Sequence, residues 1–390
     1  MSETGDAEGE ILLRAARVRL RAEDRARLRA LASGPVDWPR VLALGWRHGL
    51  LPLLNLHLGD AAPERVPPPV REELRRSAEE TARAGLRLTA ALLRLLDRMD
   101  AAGVRALPYK GPVLAVQAYG SVGLRPFADL DVLVPPAELD RAAAVLTAEG
   151  YRPRYRFTPR QDAAFRRVDG DYPWEHPETG ALVELHARVS SRRFGVPLET
   201  EALWARAVRV PLGGRSVPAP GPEDHLLVLA VHGCKHRWER LEWICGVAEL
   251  LRGGEADGDA LLERARGVGA ERMLLLALAL ARGLLDAPLP AAVSARVAAD
   301  PEAGALAAEV ARGLFGRPDP SPTAGNLLFN LRAQQGWAGR LRYAARWLVV
   351  PTPEDWKRVP LPDALFPAYA ALRPLRLAAR YGARLLGREP

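Results

Sequence analysis

Cysteine is nearly absent, with only Cys234 and Cys245 in 390 residues. Two cysteines cannot make a disulfide framework, and this pair lacks zinc-site spacing. A reduced, cytoplasmic setting is therefore expected. Lysine is scarce too, and arginine takes its place as the general surface cation. Long apolar runs are missing. The longest, Met273 to Ala281, falls far short of the roughly 20 residues a membrane-spanning helix needs. The N-terminus, Met1-Ser2-Glu3-Thr4-Gly5-Asp6, is acidic and lacks the basic-then-apolar layout of a signal peptide. No repeat of about 20–50 residues is present. A soluble protein is expected.

The remaining composition is ordinary for a globular chain: 48% hydrophobic and 26% charged. The length allows two or three domains. Arginine and alanine dominate, which predicts a helix-rich fold. A net charge of +8 and a pI of about 9.9 favour an anionic partner such as a nucleotide, a nucleic acid or an acidic surface. A solvated arginine surface is the alternative.

Residues 1–9 read as a disordered tail. From 10 to 100 the pattern is helical, with breaks at Ser33-Gly34-Pro35 and Ala61-Ala62-Pro63. Asp37 is placed to cap a helix opened by Trp38-Pro39. A long helix is predicted from Pro69 to Asp100, with Leu74, Ala78, Ala82, Leu86, Leu93 and Leu96 recurring at three- to four-residue intervals, mostly on one face. Its Arg-rich remainder reads as solvated. After Gly103 the period changes. Val104 to Tyr109 reads as a strand ending at Lys110-Gly111, and Pro112 to Tyr119 as a helix. Leu130 to Val134 reads as a second strand, stopped by Pro135-Pro136, and Glu138 to Glu149 as another helix. Tyr151 to Phe157 reads as a third strand. The stretch from Asp171 to His186, with Gly180 at its turn, reads as a hairpin, and Val208 to Val217 has a second Gly-containing turn. From Pro222 helices resume. The fold class expected is α+β: an α/β core with a small mixed sheet over 101–220, between helical domains at 10–100 and 221–390.

The chemistry concentrates in Arg125-Pro126-Phe127-Ala128-Asp129-Leu130-Asp131-Val132. On a strand, positions i and i+2 share a face, so Asp129 and Asp131 would converge. In Val183-Glu184-Leu185-His186, Glu184 and His186 would share a face in the same way. If the two strands are neighbours, Asp129, Asp131 and Glu184 form a three-carboxylate cluster. Such a cluster suits two Mg²⁺ ions, with Mn²⁺ as the alternative ion. Lys110 and Gly111 precede a helix N-terminus, where backbone N–H groups suit a triphosphate. Arg125 and His186 are placed to contact the same phosphates. On the next helical stretch Lys235, His236 and Trp238 are candidates to face the substrate. His232 and His236 share a helix face without a third zinc ligand. Arg376, Arg380 and Arg384 fall at i, i+4 spacing, either as an anion-binding face or as a solvated helix edge.

These residues resemble the nucleotidyltransferase superfamily that includes DNA polymerase β. More closely they resemble a bacterial family of uncharacterised nucleotidyltransferases with a Lys-Gly loop, an Arg-x3-Asp-hydrophobic-Asp strand and a later acidic-hydrophobic-His strand. Lys110-Gly111, Arg125 to Asp131 and Glu184-Leu185-His186 match those parts. Asp37-Trp38, Arg47-His48-Gly49, the segment His232 to Trp238, Leu241-Glu242-Trp243 and Pro351 to Trp356 resemble its helical regions. The resemblance implies an NTP donor such as ATP, a divalent metal and release of pyrophosphate, and leaves the acceptor open among a small molecule, a peptide and RNA. There are two departures. Most nucleotidyltransferases carry Gly-Ser where this chain has Lys110-Gly111, its own Gly120-Ser121 coming later. Gly246 stands where an Asp often follows the Trp. A non-catalytic nucleotide- or RNA-binding module that keeps the fold is the competing reading. The residues specify neither the base, nor the acceptor, nor an oligomeric state.

Overall fold

The computed structural model describes residues 7–316 and 322–385, with side chains omitted at 322–324 and 380–385. Helices dominate, and one five-stranded sheet positions the chemistry. Its strands are β1 (Leu107–Pro108), β2 (Asp129–Leu133), β3 (Arg152–Pro153), β4 (Asp171–Glu175) and β5 (Leu182–His186), in the order β1-β2-β5-β4-β3. The β2–β5 pair is parallel and the other pairs are antiparallel. A separate ribbon pairs β6 (Val208–Leu212) with β7 (Arg215–Ala219).

β2 is buried from Leu130 to Leu133 and apolar there except for Asp131. That is the pattern of an interior strand covered on both faces. Sheet neighbours on both sides satisfy its backbone groups. It stops at Val134, because Pro135 and Pro136 offer no N–H to a ladder. One core cluster behind the sheet joins Leu92, Leu95 and Met99 to Leu130, Val132, Val183 and Leu185.

The long helix runs Pro68–Ala101. Its buried residues include Val70, Leu74, Gly85, Thr89, Leu92, Leu95 and Met99. Leu86 was expected on that face and is instead exposed. At this point Gly85 lies against the chain, where a Cβ would meet the Val122 carbonyl oxygen at 2.5 Å. That close approach turns Leu86 outward. The solvated side carries ion pairs at i, i+3 and i, i+4 spacing, among them Arg75–Glu72 and Arg83–Glu79.

Of the nine N-terminal residues read as disordered, residues 1–6 lie outside the described residues, while Ala7–Ala15 is a helix. It is tied down by Glu8, whose Oε1 accepts from the Asp37 N–H at 2.9 Å, and by Phe315 packed on Gly9. A second element the pattern missed is the helix Pro159–Val168, opened by a Thr158–Gln161 capping box. The third strand is also shorter than read, only Arg152–Pro153. The N- and C-terminal helices share one core, in which Ile11 and Leu53 belong to the same cluster as Leu274 and Ala277. No helix among the described residues is long and apolar enough to cross a membrane.

Candidate active site

The parallel register puts Asp131 beside Glu184 and Leu133 beside His186. Asp129 and Asp131 therefore share one sheet face with Glu184 and His186. Across β4, Asp171 pairs with His186 in register. One face thus carries four carboxylates and an imidazole.

The Lys-Gly turn closes this face from the other side. Tyr109 N–H donates to the Asp131 carbonyl at 3.3 Å. Gly111 then opens the helix Gly111–Tyr119 with φ +52°, and a Cβ there would stand 3.2 Å from the Asp129 carbonyl oxygen. Only glycine meets both demands without strain. The turn aims Lys110 at the carboxylates: its Nζ lies 2.7 Å from Asp131 Oδ1. His186 Nε2 lies 3.1 Å from the same oxygen and 3.3 Å from Glu184 Oε2. The Tyr109 ring stands edge-on to His186, with centroids 5.3 Å apart.

The charges follow from these contacts. Burial alone would raise the Asp131 carboxyl, but Lys110 and His186 outweigh it and hold it far below the usual range. Burial would likewise neutralise His186, yet its bonds to Asp131 and Glu184 lift it to about 9. Lys110 is raised against its own burial by the Asp131 charge. Glu184 is lowered, first by its bond to His186. Asp129 goes the other way, because burial and then repulsion by Asp131 push it up to about 6. Asp171 is raised by burial.

Asp131, Glu184 and His186 each offer one ligand atom, all within 4.8 Å of one another, as a group that could hold a metal ion. Asp129 shares the face but not that group, so the nearest set is two carboxylates and an imidazole. Hard oxygen donors fit Mg²⁺ or Mn²⁺. Arg125 is buried, and its Nη1 has no hydrogen-bond partner. Its charge acts on Glu242 and on Asp129.

The end of the helix Pro222–Lys235 stands over this face. His232 feels the charges of Lys110 and Asp131, and His236 those of Lys110 and Glu184. Burial holds His236 down to about 4, so it is neutral near pH 7. Lys235 is exposed and acts on Asp171. The His232 and His236 rings sit 4.8 Å apart against Trp243, and no third metal ligand joins them among the described residues. Trp238, read as substrate-facing, is wholly buried and packed on Gly233. Gly233 leaves the space that draws the indole inward. Gly120-Ser121 is used in ending a helix: Gly120 is its C-cap at φ +69°, and Ser121 Oγ accepts from the Gly123 N–H. A Cβ at Gly246 would reach only Leu229 and the Tyr119 hydroxyl.

Asp171 went unread because a lone acid beside an aromatic strand carries no spacing signal. Its only trace is alternation, with Asp171 and Pro173 opposite in sense to the buried Trp174. Beside the carboxylates, Pro126 borders a cavity of about 980 Å³ shared with the N- and C-terminal helices. Arg376 pairs with Asp355, and the side chains of Arg380 and Arg384 lie outside the described residues.

Residues 34–286, well over half of the chain, match the family described as "Uncharacterised nucleotidyltransferase". The chain belongs to that family. It is therefore an enzyme of nucleotidyl transfer, a transferase of phosphorus-containing groups that takes an NTP donor. The match contains the Lys-Gly loop, both acidic strands and the 232–243 segment, and it stops before Pro351 to Trp356. Comparison with curated proteins and with solved structures finds no match.

Proposed function

We propose that this nucleotidyltransferase moves an NMP from an NTP to an acceptor hydroxyl. The acceptor oxygen bonds to the α-phosphorus, the bond from that phosphorus to the β-phosphate oxygen breaks, and pyrophosphate leaves. The observation that carries this reading is the grouping of Asp131, Glu184 and His186 within 4.8 Å beside a Lys-Gly helix start.

Asp129, Asp131 and Glu184 are the residues to hold Mg²⁺, with Mn²⁺ as a substitute and two ions as the expected number. Bound there, the metal would supply charge neutralisation at the phosphates and a more acidic acceptor hydroxyl. The chain's own groups do the rest. Lys110, Gly111 N–H and the following helix start grip the triphosphate. Arg125 offers a buried nitrogen without a hydrogen-bond partner, and its charge reaches Asp129. His186, protonated at neutral pH, orients Asp131 and Glu184 and is available to a phosphate oxygen. Glu184, with 39% of its side chain exposed, takes the acceptor's proton. Lys235 and His236 line the approach.

A second reading, a nucleotide- or RNA-binding module without turnover, draws support from one feature: Asp131 Oδ1 is already engaged by both Lys110 and His186. Calorimetry separates the two. Each of the four NTPs is titrated with Mg²⁺ into the wild type and into Asp129→Asn/Asp131→Asn. Mg²⁺-dependent binding that vanishes in the double variant, with pyrophosphate release in the wild type, is expected. No NTP binding to the wild type would sink the transfer reading.

A further inference from the structure

A cavity of about 980 Å³ opens beside the stretch that leads into Asp129. Pro126, three residues before Asp129, forms part of its wall, and so do Arg237 to Arg240. His236, the residue before Arg237, feels Lys110 and Glu184. The cavity wall thus takes residues from the stretch that leads into Asp129 and from the turn that follows the helix Pro222–Lys235.

That turn is strained. Arg237 and Trp238 both have left-handed backbones, at φ 55° and 54°. For side-chain-bearing residues that costs about 1–2 kcal/mol each. Such strain persists only where the surroundings impose it, and it collects at functional sites. Trp238, locked on Gly233, imposes it here.

The chemistry of the wall selects the occupant. At about 980 Å³ the cavity lies at the top of the roughly 300–1,000 Å³ range of ligand sites, too large for a single sugar or amino acid. Its charges balance: Arg47, Arg237 and Arg240 against Glu80, Glu239 and Glu309. A site for a polynucleotide needs a surplus of cations along the backbone track, and three glutamates oppose that. Apolar surface fills the rest, led by Phe329 and by Trp46, which is 76% exposed at the wall. A large exposed aromatic beside groups of both signs fits polypeptide, with apolar side chains, neutral backbone and charges of either sign.

We infer that this cavity is the acceptor site, and that the acceptor is a peptide segment of mixed charge. This rests on the nucleotidyl-transfer reading. A serine, threonine or tyrosine oxygen of the peptide bonds to the α-phosphorus, its proton passes to Glu184, and pyrophosphate departs from the NTP.

The test separates binding from transfer. The immobilised full chain is presented with a synthetic pool of random decapeptides centred on serine, threonine or tyrosine, and separately with bulk tRNA. Retained peptides are read by mass spectrometry, and NTP affinity is measured in parallel. Retention of peptides rich in apolar and aromatic residues is expected. Trp46→Ala, at an exposed position that leaves the fold intact, should reduce it roughly tenfold, as for an aromatic anchor, with NTP affinity unchanged. Trp46→Phe should restore most of it. Glu239→Arg should shift the retained pool toward acidic sequences. No peptide retained while NTP still binds would overturn the inference. So would retention of tRNA in place of peptide, or retention indifferent to Trp46→Ala. Peptides retained without any NTP binding would support the cavity's ligand and sink the transfer reading instead.

Discussion

Asp131 Oδ1 is contested, since Lys110 at 2.7 Å and His186 at 3.1 Å both donate to it. Two cations on one buried carboxylate do electrostatically what a bound metal would do. That competition gives Lys110→Met two effects of opposite sign. Removing the ammonium frees Asp131, so binding of Mn²⁺ alone, followed by electron paramagnetic resonance, should tighten. Removing a triphosphate ligand should weaken NTP binding by roughly tenfold, the worth of one charge-assisted hydrogen bond. Weaker Mn²⁺ binding in Lys110→Met would mean that the lysine does not compete at this carboxylate. Lysine is rare here, occurring only at Lys110, Lys235 and Lys357, yet two of the three act on this group of acids. Arginine is the chain's default cation, so a compact ammonium at these positions marks a local demand: a point charge able to leave one partner for another.

At the scale of elements, the site depends on how the Lys-Gly turn meets β2. Gly111→Ala would place a side chain 3.2 Å from the Asp129 carbonyl oxygen at φ +52°. A loss of about 1–2 kcal/mol is expected, read as a lower urea midpoint, together with NTP affinity falling more than stability alone explains. An unchanged NTP affinity would show that the turn does not place the phosphate grip. The same elements show what was legible beforehand. Alternation put Asp129 with Asp131, and Glu184 with His186, on shared faces, because strand geometry has a fixed period. The ends of the helix Gly111–Tyr119 could be read from Pro112 and Gly120. The hairpin turning at Gly180 was legible too, and with it the β4–β5 pairing that sets Asp171 across from His186. That β5 also lies parallel beside β2, and so joins the two acidic faces, is set by long-range packing that no local pattern records. Trp238 failed for a similar reason. Its environment depends on Gly233, five residues earlier, through a left-handed turn that helical periodicity cannot anticipate.

At the scale of the whole molecule, buried neutral histidines join regions distant in sequence: His48 ties the N-terminal helices to the C-terminal ones, and His225 ties a C-terminal helix to the core. His48 lies fully buried, its Nδ1 accepting from the Leu241 N–H at 3.2 Å, while its carbonyl accepts from the Glu242 N–H. The family segments Arg47-His48-Gly49 and Leu241-Glu242-Trp243 are thus one contact. His225 sits against the helix Gly111–Tyr119, with Nδ1 2.9 Å from Gln117 Oε1. Burial, with Arg47 and Arg240 adding to it at His48, holds both imidazoles down to about 4 from an ordinary 6.5. Between those values the unfolded chain binds more protons than the folded one, so stability rises with pH there and falls on acidification. Stability that is complete above pH 6.5 should be lost progressively toward pH 4, on the order of 3 kcal/mol for each histidine at 1.36 kcal/mol per pK unit. Urea unfolding followed by tryptophan fluorescence at pH 7 and pH 5 measures the slope. Whatever its stability at either value, His48→Gln/His225→Gln should lose less between them than the wild type, since the acidic residues common to both chains cancel in the comparison. Equal slopes would mean that these imidazoles take up protons in the folded state as readily as in the unfolded one, and that the contacts they make between regions do not depend on keeping them neutral.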